Sequence, residues 1–441
     1  MEQRRKNLTQ LFIPICLETL LYMLSGMVDT LMLSSVNDQA VGAVGTANTY
    51  IGIFIIMFSV ISSGMVAVMT QNIGAGRPGV AYQARQLGLA FNAVLGVIMS
   101  LFLSLGAGTI LSGVGVADAL MQPAKTYLQI VGGFCILNAL IPICSSYLRA
   151  FGFSKEPLYA SIIGNVINFC LNAFFLFVLH KGVAGVATAT VISRIINLVI
   201  VVLLGAVLVK AKQHPERESN RAVMGQIIRI GLPSACETAI YNVSMTLVIR
   251  FLNQMDAQGL NVTARSYTMQ ITNFSYCVGA ALAQANEIMT GWHIGAKEYD
   301  ACDRGTKKAA VIGVIVAVIL ETVFTLCSGW IMQLFSKDPQ MVSLVGKLLA
   351  IDIVLEIGRV TNLVYGQALK TSGDAVFPVV MGACFMILCS VGGTYLFGIR
   401  LGLLAVGAYI GMTGDECVRA VGMYLRWKSG KWKEKGLVKS R

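Results

Sequence analysis

The chain is built from long apolar segments that are separated by short polar ones. The segment NAVLGVIMSLFLSLGAGTILSGVGV at 92–116 has no charged residue, and neither has TYIGIFIIMFSVISSGMVAVM at 49–69. As an α-helix, each segment is long enough to cross the roughly 30 Å hydrocarbon core of a bilayer. The pattern therefore predicts an all-α integral membrane protein.

The apolar segments predict twelve transmembrane helices in two lobes of six. The connections are short and often contain Gly or Pro, except KAKQHPERESNRAV at 210–223, the only sustained polar stretch between two segments. We interpret that stretch as the linker between the lobes. The predicted helices are 8–34, 41–72, 84–113, 123–149, 156–180, 183–209, 225–253, 259–291, 302–335, 340–369, 375–398 and 401–427.

The distribution of Lys and Arg predicts the orientation of these helices, because basic residues favour cytoplasmic loops. With the N-terminus inside, the outer loops receive few basic residues, namely Lys125, Lys181, Arg265, Lys337, Lys347 and Arg400. We therefore expect both termini in the cytoplasm. The predicted organisation is an N-lobe at 1–209, a cytoplasmic linker at 210–224, a C-lobe at 225–427 and a basic cytoplasmic tail at 428–441.

Composition agrees with this class of protein and argues against several others. Hydrophobic residues make up 56% of the chain and charged residues only 13%, against roughly a quarter in soluble proteins. The net charge of +12 is spread over alternate loops and is not clustered on one face. We therefore interpret it as the charge bias that orients membrane helices and not as a surface that binds nucleic acid. The eleven cysteines form no C-x-x-C pair, and we find no nucleophile–base set, so we expect neither a metal framework nor an enzyme.

The second half of the chain repeats the first. IPICLETLLY at 13–22 is echoed by LPSACETAIY at 232–241, and YLRAFGFSKEP at 147–157 by ALKTSGDAVFP at 368–378. Each half has six predicted helices, an even number, so both halves enter the membrane from the same side. Parallel repeats of this kind enclose a cleft in transporters that work by alternating access. A channel or a receptor is the rival class, but nothing resembles a selectivity filter.

Several segments resemble those of the MATE family, the multidrug and toxic compound extrusion transporters. They are LFIPICLETLLYMLSGMVDTLMLS, QNIGAGRPGVAYQARQLG, YLRAFGFSKEP, LFSKDPQMV and ALKTSGDAVFP, and the end of the chain resembles one bacterial branch. The resemblance implies an antiporter of the bacterial inner membrane that exports organic, often cationic or amphipathic, compounds against Na⁺ or H⁺. We expect a monomer with a small-molecule substrate, no nucleic-acid partner and no cofactor besides the coupling ion.

A flippase for lipid-linked oligosaccharides is the alternative within transport, because such proteins share this architecture. A flippase cleft should carry several arginines that hold a diphosphate. The predicted membrane segments contain Arg194, Arg250, Arg359 and Arg419, and at least two of these have acidic neighbours on the same helix. We therefore favour the antiporter.

One carboxylate in the N-lobe is a candidate for cation coupling. Asp29 lies in the apolar stretch LYMLSGMVDTLMLSS at 21–35. An ionisable group is costly in such a stretch, so we predict that Asp29 has a functional role. By the resemblance, Asp29 matches the family's first-helix aspartate and Asn168 its fifth-helix asparagine, while Asn172 stands where an aspartate is usual. The helix depths of all three predict that they meet, and we expect Asn168 and Asn172 to supply neutral oxygens beside Asp29. A role of Asp29 in packing alone is the other interpretation.

The C-lobe carries a second group of charged residues at membrane depth. Asp352, Glu356 and Arg359 are spaced to share one helix face. We interpret the group as a polar network, which could act as a packing lock, a gate or a second ion site, and we expect no metal beyond Na⁺. Its members are Glu237, Asp352, Glu356, Arg359, Asp415 and Arg419.

Overall fold

In the computed structural model, the described residues are 6–35, 38–113, 116–210, 214–256, 259–333 and 335–438. Within these ranges the regular structure is helical. The α-helices are α1 Leu8–Ser34, α2 Asp38–Gly74, α3 Pro78–Gly113, α4 Asp118–Tyr127, α5 Ile136–Ala150, α6 Lys155–Ala173, α7 Gly182–Leu208, α8 Asn220–Met255, α9 Leu260–Gly295, α10 Tyr299–Leu326, α11 Ser328–Met332, α12 Pro339–Thr371, α13 Val376–Phe385 and α14 Leu404–Lys428. Segments of π-helix follow α4, α6 and α13, at Leu128–Gly132, Phe174–Val178, Met386–Val391 and Thr394–Arg400.

The helices form two compact units, unit 1 at Met1–Gly231 and unit 2 at Leu232–Arg441, and the division falls inside α8. In unit 1, α1 packs against α6, α2 against α3, and α6 against α7. In unit 2, α12 packs against α9, α10 and α14. Each unit has its own buried apolar core, which includes Phe58 and Leu103 in unit 1 and Val345 and Leu348 in unit 2.

Within the described residues, seven helices are long and apolar enough to cross a membrane, or eight if α4 and α5, bent by 43° at the break between them, count as one span. The twelve predicted spans are thus supported only in part. The long helices that fall short are α8, α9, α12 and α14. They carry many of the buried charged and amide side chains of unit 2, and these side chains lower their mean hydropathy.

The segment predicted as a linker, 210–224, is shorter and better anchored than the sequence indicated. Helix α8 already begins at Asn220, and residues 211–213 lie outside the described residues. Arg77 forms an ion pair of 2.6 Å with Glu218, and the amide of Gln83 donates to the backbone oxygen of Glu218 over 2.7 Å. These contacts fix the described part of the segment against the start of α3.

The predicted tail, 428–441, also packs on the protein as far as it is described, with residues 439–441 outside those ranges. The chain reverses at Gly430, whose φ is +72°, and the ring of Trp432 stacks on Trp427 with centroids 4.1 Å apart. Lys435 then pairs with Asp374 at 2.6 Å. The tail up to Leu437 therefore caps one end of unit 2.

Candidate functional site

Asp29, Asn168 and Asn172 lie together where α1 packs against α6. Asn168 and Asn172 are one helical turn apart on α6, and both are buried. The side-chain nitrogen of Asn172 donates to an oxygen of Asp29 over 2.6 Å and to the side-chain oxygen of Asn168 over 3.2 Å. The structure thus brings the three residues together, while their role in coupling stays a prediction.

The polarity of these contacts differs from the sequence-based expectation. Asn168 and Asn172 were expected to supply neutral oxygens beside Asp29, but Asn172 presents its nitrogen and Asn168 contacts Asn172. The side-chain oxygen of Asn172 is buried and has no hydrogen-bond partner in the described part of the chain. An amide carries an oxygen at one end and a nitrogen at the other, so rotation would present this unused oxygen to Asp29 instead.

A basic residue near Asp29 was not part of the predicted site. Arg194 on α7 lies within electrostatic range of Asp29 and of Tyr127 on α4. The sequence signal was present, because Arg194 is the only charged residue within α7. Its positive charge reduces the net negative charge that a cation would meet at Asp29.

Glu237 forms its ion pair with a residue outside the predicted C-lobe network. Its carboxylate lies 2.6 Å from the ammonium group of Lys370. The matching positions of the repeat in unit 1, Glu18 and Arg149, form an ion pair of the same length. An equivalent pair in both units favours a structural role for Glu237.

Four of the other predicted residues belong to one chain of ion pairs on α12 and α14, which also includes Glu416. Arg359 pairs with Glu356 and lies 3.8 Å from Glu416. Arg419 in turn contacts Glu416 at 2.9 Å and Asp415 at 2.8 Å. Because the partners are largely buried, the removal of one charge would leave another without compensation.

Asp352, the remaining predicted residue, belongs to a cluster of three buried carboxylates. Oxygens of Glu321 on α10 and of Asp352 and Glu356 on α12 lie within 4.8 Å of one another. Ser275 lies beside Glu321, but neither oxygen of Glu321 has a donor in hydrogen-bonding geometry among the described residues. The same holds for one oxygen each of Asp352 and Glu356. Such oxygens can hold a cation or share a proton.

Sequence reasoning missed Glu321, although a signal for it existed. Glu321 is the only charged residue in the apolar stretch AAVIGVIVAVILETVFTL of α10. A lone carboxylate in such a stretch is the same signal that identified Asp29.

The comparison with known proteins identifies the family. The MatE family model matches residues 14–174 and 233–396, once in each unit. The chain belongs to the MatE family. It is therefore a membrane transporter, and its family comprises multidrug and toxic compound transporters.

Relatives of this MatE protein match it over nearly the whole length. It is 34% identical to the "Uncharacterized transporter YisQ" of Bacillus subtilis (strain 168), over 96% of this chain and 94% of the relative. It is 23% identical to the "Probable multidrug resistance protein NorM" of Thermotoga maritima, over 98% and 94%. An outward-facing MATE family transporter superposes with a TM-score of 0.87 at 18% identity, over 98% of this chain and 96% of that one. A MATE protein in the bent conformation superposes with a TM-score of 0.88 at 18% identity, over 97% of this chain and 96% of that one.

Proposed function

We propose that this MatE protein is a secondary antiporter that exports organic, cationic or amphipathic compounds in exchange for Na⁺ or H⁺. It would reside in a bacterial inner membrane as a monomer of twelve spans, with both termini in the cytoplasm, and work by alternating access. The observation that carries the proposal is the contact of Asp29 with Asn172. A carboxylate within an apolar helix needs a partner, and a driving cation can serve as one.

The coupling step uses the two ends of the Asn172 amide. In the structure, the amide nitrogen of Asn172 donates to Asp29. When Na⁺ enters, the amide rotates and its oxygen joins the carboxylate and Asn168 as a ligand, since hard cations prefer oxygen. Asp29 is the one carboxylate of this group, so a single charge is neutralised, and we favour Na⁺ over H⁺ as the coupling ion.

The three carboxylates of unit 2 are a second candidate for the position of the coupling ion. Glu321, Asp352 and Glu356 present oxygens that have no hydrogen-bond donor among the described residues, and Arg359 compensates for only part of their charge. If Asp29 serves packing alone, this cluster is where coupling would reside.

The flippase alternative is less well supported by the arginines. Arg359 and Arg419 are held by carboxylates, and Arg250 is exposed on the outside of α8. A diphosphate would need several free guanidinium groups in one place.

Dye efflux from proteoliposomes tests the proposal. The purified protein is reconstituted, loaded with a lipophilic cationic dye, and given either a Na⁺ or a pH gradient. We expect efflux to require at least one of the gradients and to stop when an ionophore collapses it. Efflux that continues unchanged after the collapse would show that the protein is not an antiporter.

A further inference from the structure

The C-terminal segment, residues 429–437, follows the end of α14 and packs against the start of α10. The indole nitrogen of Trp427, near the end of α14, donates to Asp303 on α10 over 2.9 Å. The ring of Trp432 meets that of Tyr299 edge-on, with centroids 5.9 Å apart. The end of α14, the start of α10 and the C-terminal segment therefore form one continuous surface of unit 2.

On α10 the exposed side chains change from apolar to basic towards this surface. Val311 and Ile315 are exposed in an uncharged stretch that runs from 309 to 320, and α10 is long and apolar enough to cross a membrane. Arg304 and Lys308, nearer the start of the helix, are exposed as well. Exposed apolar side chains of a membrane helix face lipid, and Lys and Arg near its ends reach the headgroups. The change therefore marks the boundary between hydrocarbon and headgroups.

The same change occurs on α14 at the same end of unit 2. Val421 and Leu425 are exposed apolar residues, and the exposed Lys428 ends the helix. Lys431 and Lys433 are exposed on the C-terminal segment that follows. Since both helices change where this segment packs, the segment lies at the level of the lipid headgroups.

The inward and the outward basic side chains of this surface differ in their partners. Arg426 and Lys435 turn inward and pair with Asp374 at 2.7 and 2.6 Å. The outward ones form no ion pair within the described ranges, and they are Arg304, Lys308, Lys428, Lys431 and Lys433. Two exposed acidic residues on the same elements, Asp300 and Glu434, offset only part of this positive charge.

We propose that these five outward basic residues bind the phosphodiester headgroups of anionic phospholipids. A phospholipid fits better than a soluble anion, because its acyl chains pack on the exposed apolar residues beside the basic ones. On α10 the chains would cover Val311 while the headgroup reaches Lys308. Anionic headgroups attract basic segments next to the membrane in this way. The proposal does not rest on the coupling ion or on the exported compound.

The bound lipid would also hold the C-terminal segment in place. Lys431 and Lys433 flank Trp432, whose buried ring stacks on Trp427. Headgroups bound to both lysines would oppose the detachment of Trp432 from unit 2. We therefore expect anionic lipid to raise the melting temperature of the protein.

Two measurements on the full-length protein in neutral detergent test the proposal. Native mass spectrometry compares the binding of dioleoylphosphatidylglycerol, which is anionic, with that of dioleoylphosphatidylcholine, which has the same acyl chains but no net charge. We expect the anionic lipid to bind at least about threefold more tightly, and the preference to fall as salt screens the exposed charges. Thermal unfolding with each lipid should show a higher melting temperature for phosphatidylglycerol. Glycerol 1-phosphate, the free headgroup, should not raise it.

Variants locate the binding surface. One removes the three basic residues at the end of α14 and on the C-terminal segment: Lys428→Gln/Lys431→Gln/Lys433→Gln. It should lose most of the preference for phosphatidylglycerol and of the rise in melting temperature, each measured against its own lipid-free form. Arg304→Gln/Lys308→Gln, which leaves the C-terminal segment unchanged, should lose part of both.

The matched control removes the same charge at exposed positions elsewhere. Lys181 lies in unit 1, and Lys337 and Lys347 lie near the opposite end of α12 from Asp374. The variant Lys181→Gln/Lys337→Gln/Lys347→Gln should keep both effects of phosphatidylglycerol.

Four outcomes would overturn the proposal. They are equal binding of the two lipids by the wild type, an unchanged preference in the variant of the C-terminal segment, an equal loss in the control variant, and a similar rise in melting temperature with glycerol 1-phosphate. The third would show that only net charge matters, and the fourth that the surface binds a soluble anion. None of them involves dye efflux, so the failure of this proposal and that of the antiporter are distinguishable.

Discussion

The side-chain nitrogen of Asn172 lies 2.6 Å from a carboxylate oxygen of Asp29, and this contact joins α6 to α1. The contact holds Asp29 in place without neutralising it. A carboxylate that is positioned but not neutralised can take up a cation and release it again. The first two predictions follow from this arrangement.

Asp29→Asn should keep the fold and abolish gradient-driven efflux. The amide has almost the shape of the carboxylate and is cheaper to bury, but it cannot be neutralised by a cation. Efflux and thermal unfolding are measured together on the purified variant. Asp118→Asn, at the exposed start of α4, is the control and should transport normally. Normal efflux in Asp29→Asn would make Asp29 a packing residue and direct attention to Glu321 and Asp352.

Asn172→Asp should shift the driving ion towards H⁺. Two carboxylates at hydrogen-bonding distance repel each other, so that one of them retains a proton more readily and the pair titrates as a unit. Efflux is measured against pH at fixed Na⁺ and against Na⁺ at fixed pH. We expect the variant to depend more on pH and less on Na⁺ than the wild type does. Identical profiles would exclude Asn172 from the coupling site.

Arg194→Gln should raise the apparent affinity for the driving cation. The positive charge of Arg194 acts on Asp29 and opposes the entry of a second positive charge. Half-maximal efflux should therefore need less Na⁺, or a higher pH if H⁺ is the driving ion. Arg229→Gln, at an exposed position of unit 1, is the control. A lower affinity in Arg194→Gln would mean that Arg194 positions Asp29 instead of opposing the cation.

The sequence predicts two of the apolar helices almost residue by residue, because a largely uncharged segment has few alternatives to a membrane helix. The predicted 8–34 is α1 itself, and the predicted 183–209 differs from α7 by one residue at each end. Helix depth was also enough to predict that Asp29 and Asn172 meet. In unit 2, charged residues lower the mean hydropathy of several helices. Hydropathy therefore does not identify α8, α9, α12 and α14 as membrane spans.

Other features depend on tertiary packing that no local pattern reports. Trp432 is buried because the chain reverses at Gly430 and returns to Trp427, whereas its sequence neighbours are mostly lysines. Arg265 was counted with the basic residues of the outer loops, but it lies within α9 and is buried there. The orientation of the Asn172 amide follows from its neighbours on two helices, so the sequence could not reveal it.

Arg359→Ala should destabilise the protein more than Glu356→Ala does. Arg359 contacts Glu356 and Glu416, and its loss leaves the carboxylates of Glu321, Asp352 and Glu356 close together without their nearest cation. Breaking a buried pair in this way costs about 3 kcal/mol or more. Loss of Glu356 instead removes one of the three repelling carboxylates. The melting temperatures of both variants are measured by thermal unfolding in detergent. Equal melting temperatures would contradict the pairing of Arg359 with these carboxylates.

Trp432→Ala should destabilise unit 2, although Trp432 lies in the polar C-terminal segment. Its ring is 1% exposed and stacks on Trp427, and its Nε1 donates to the backbone oxygen of Trp427 over 2.9 Å. Truncation of a large buried side chain of this kind costs about 3 kcal/mol.

The matched control for this variant is Trp330→Ala, because Trp330 on α11 is 71% exposed. Thermal unfolding of both variants is followed in detergent by circular dichroism, which does not depend on the tryptophan that is removed. We expect a clear fall in melting temperature for Trp432→Ala and almost none for Trp330→Ala. The fall in melting temperature for Lys435→Ala should lie between those of the other two variants, since the ion pair of Lys435 with Asp374 is partly exposed to solvent. Equal stability of Trp432→Ala and the wild type would mean that the C-terminal segment lies on unit 2 without supporting it.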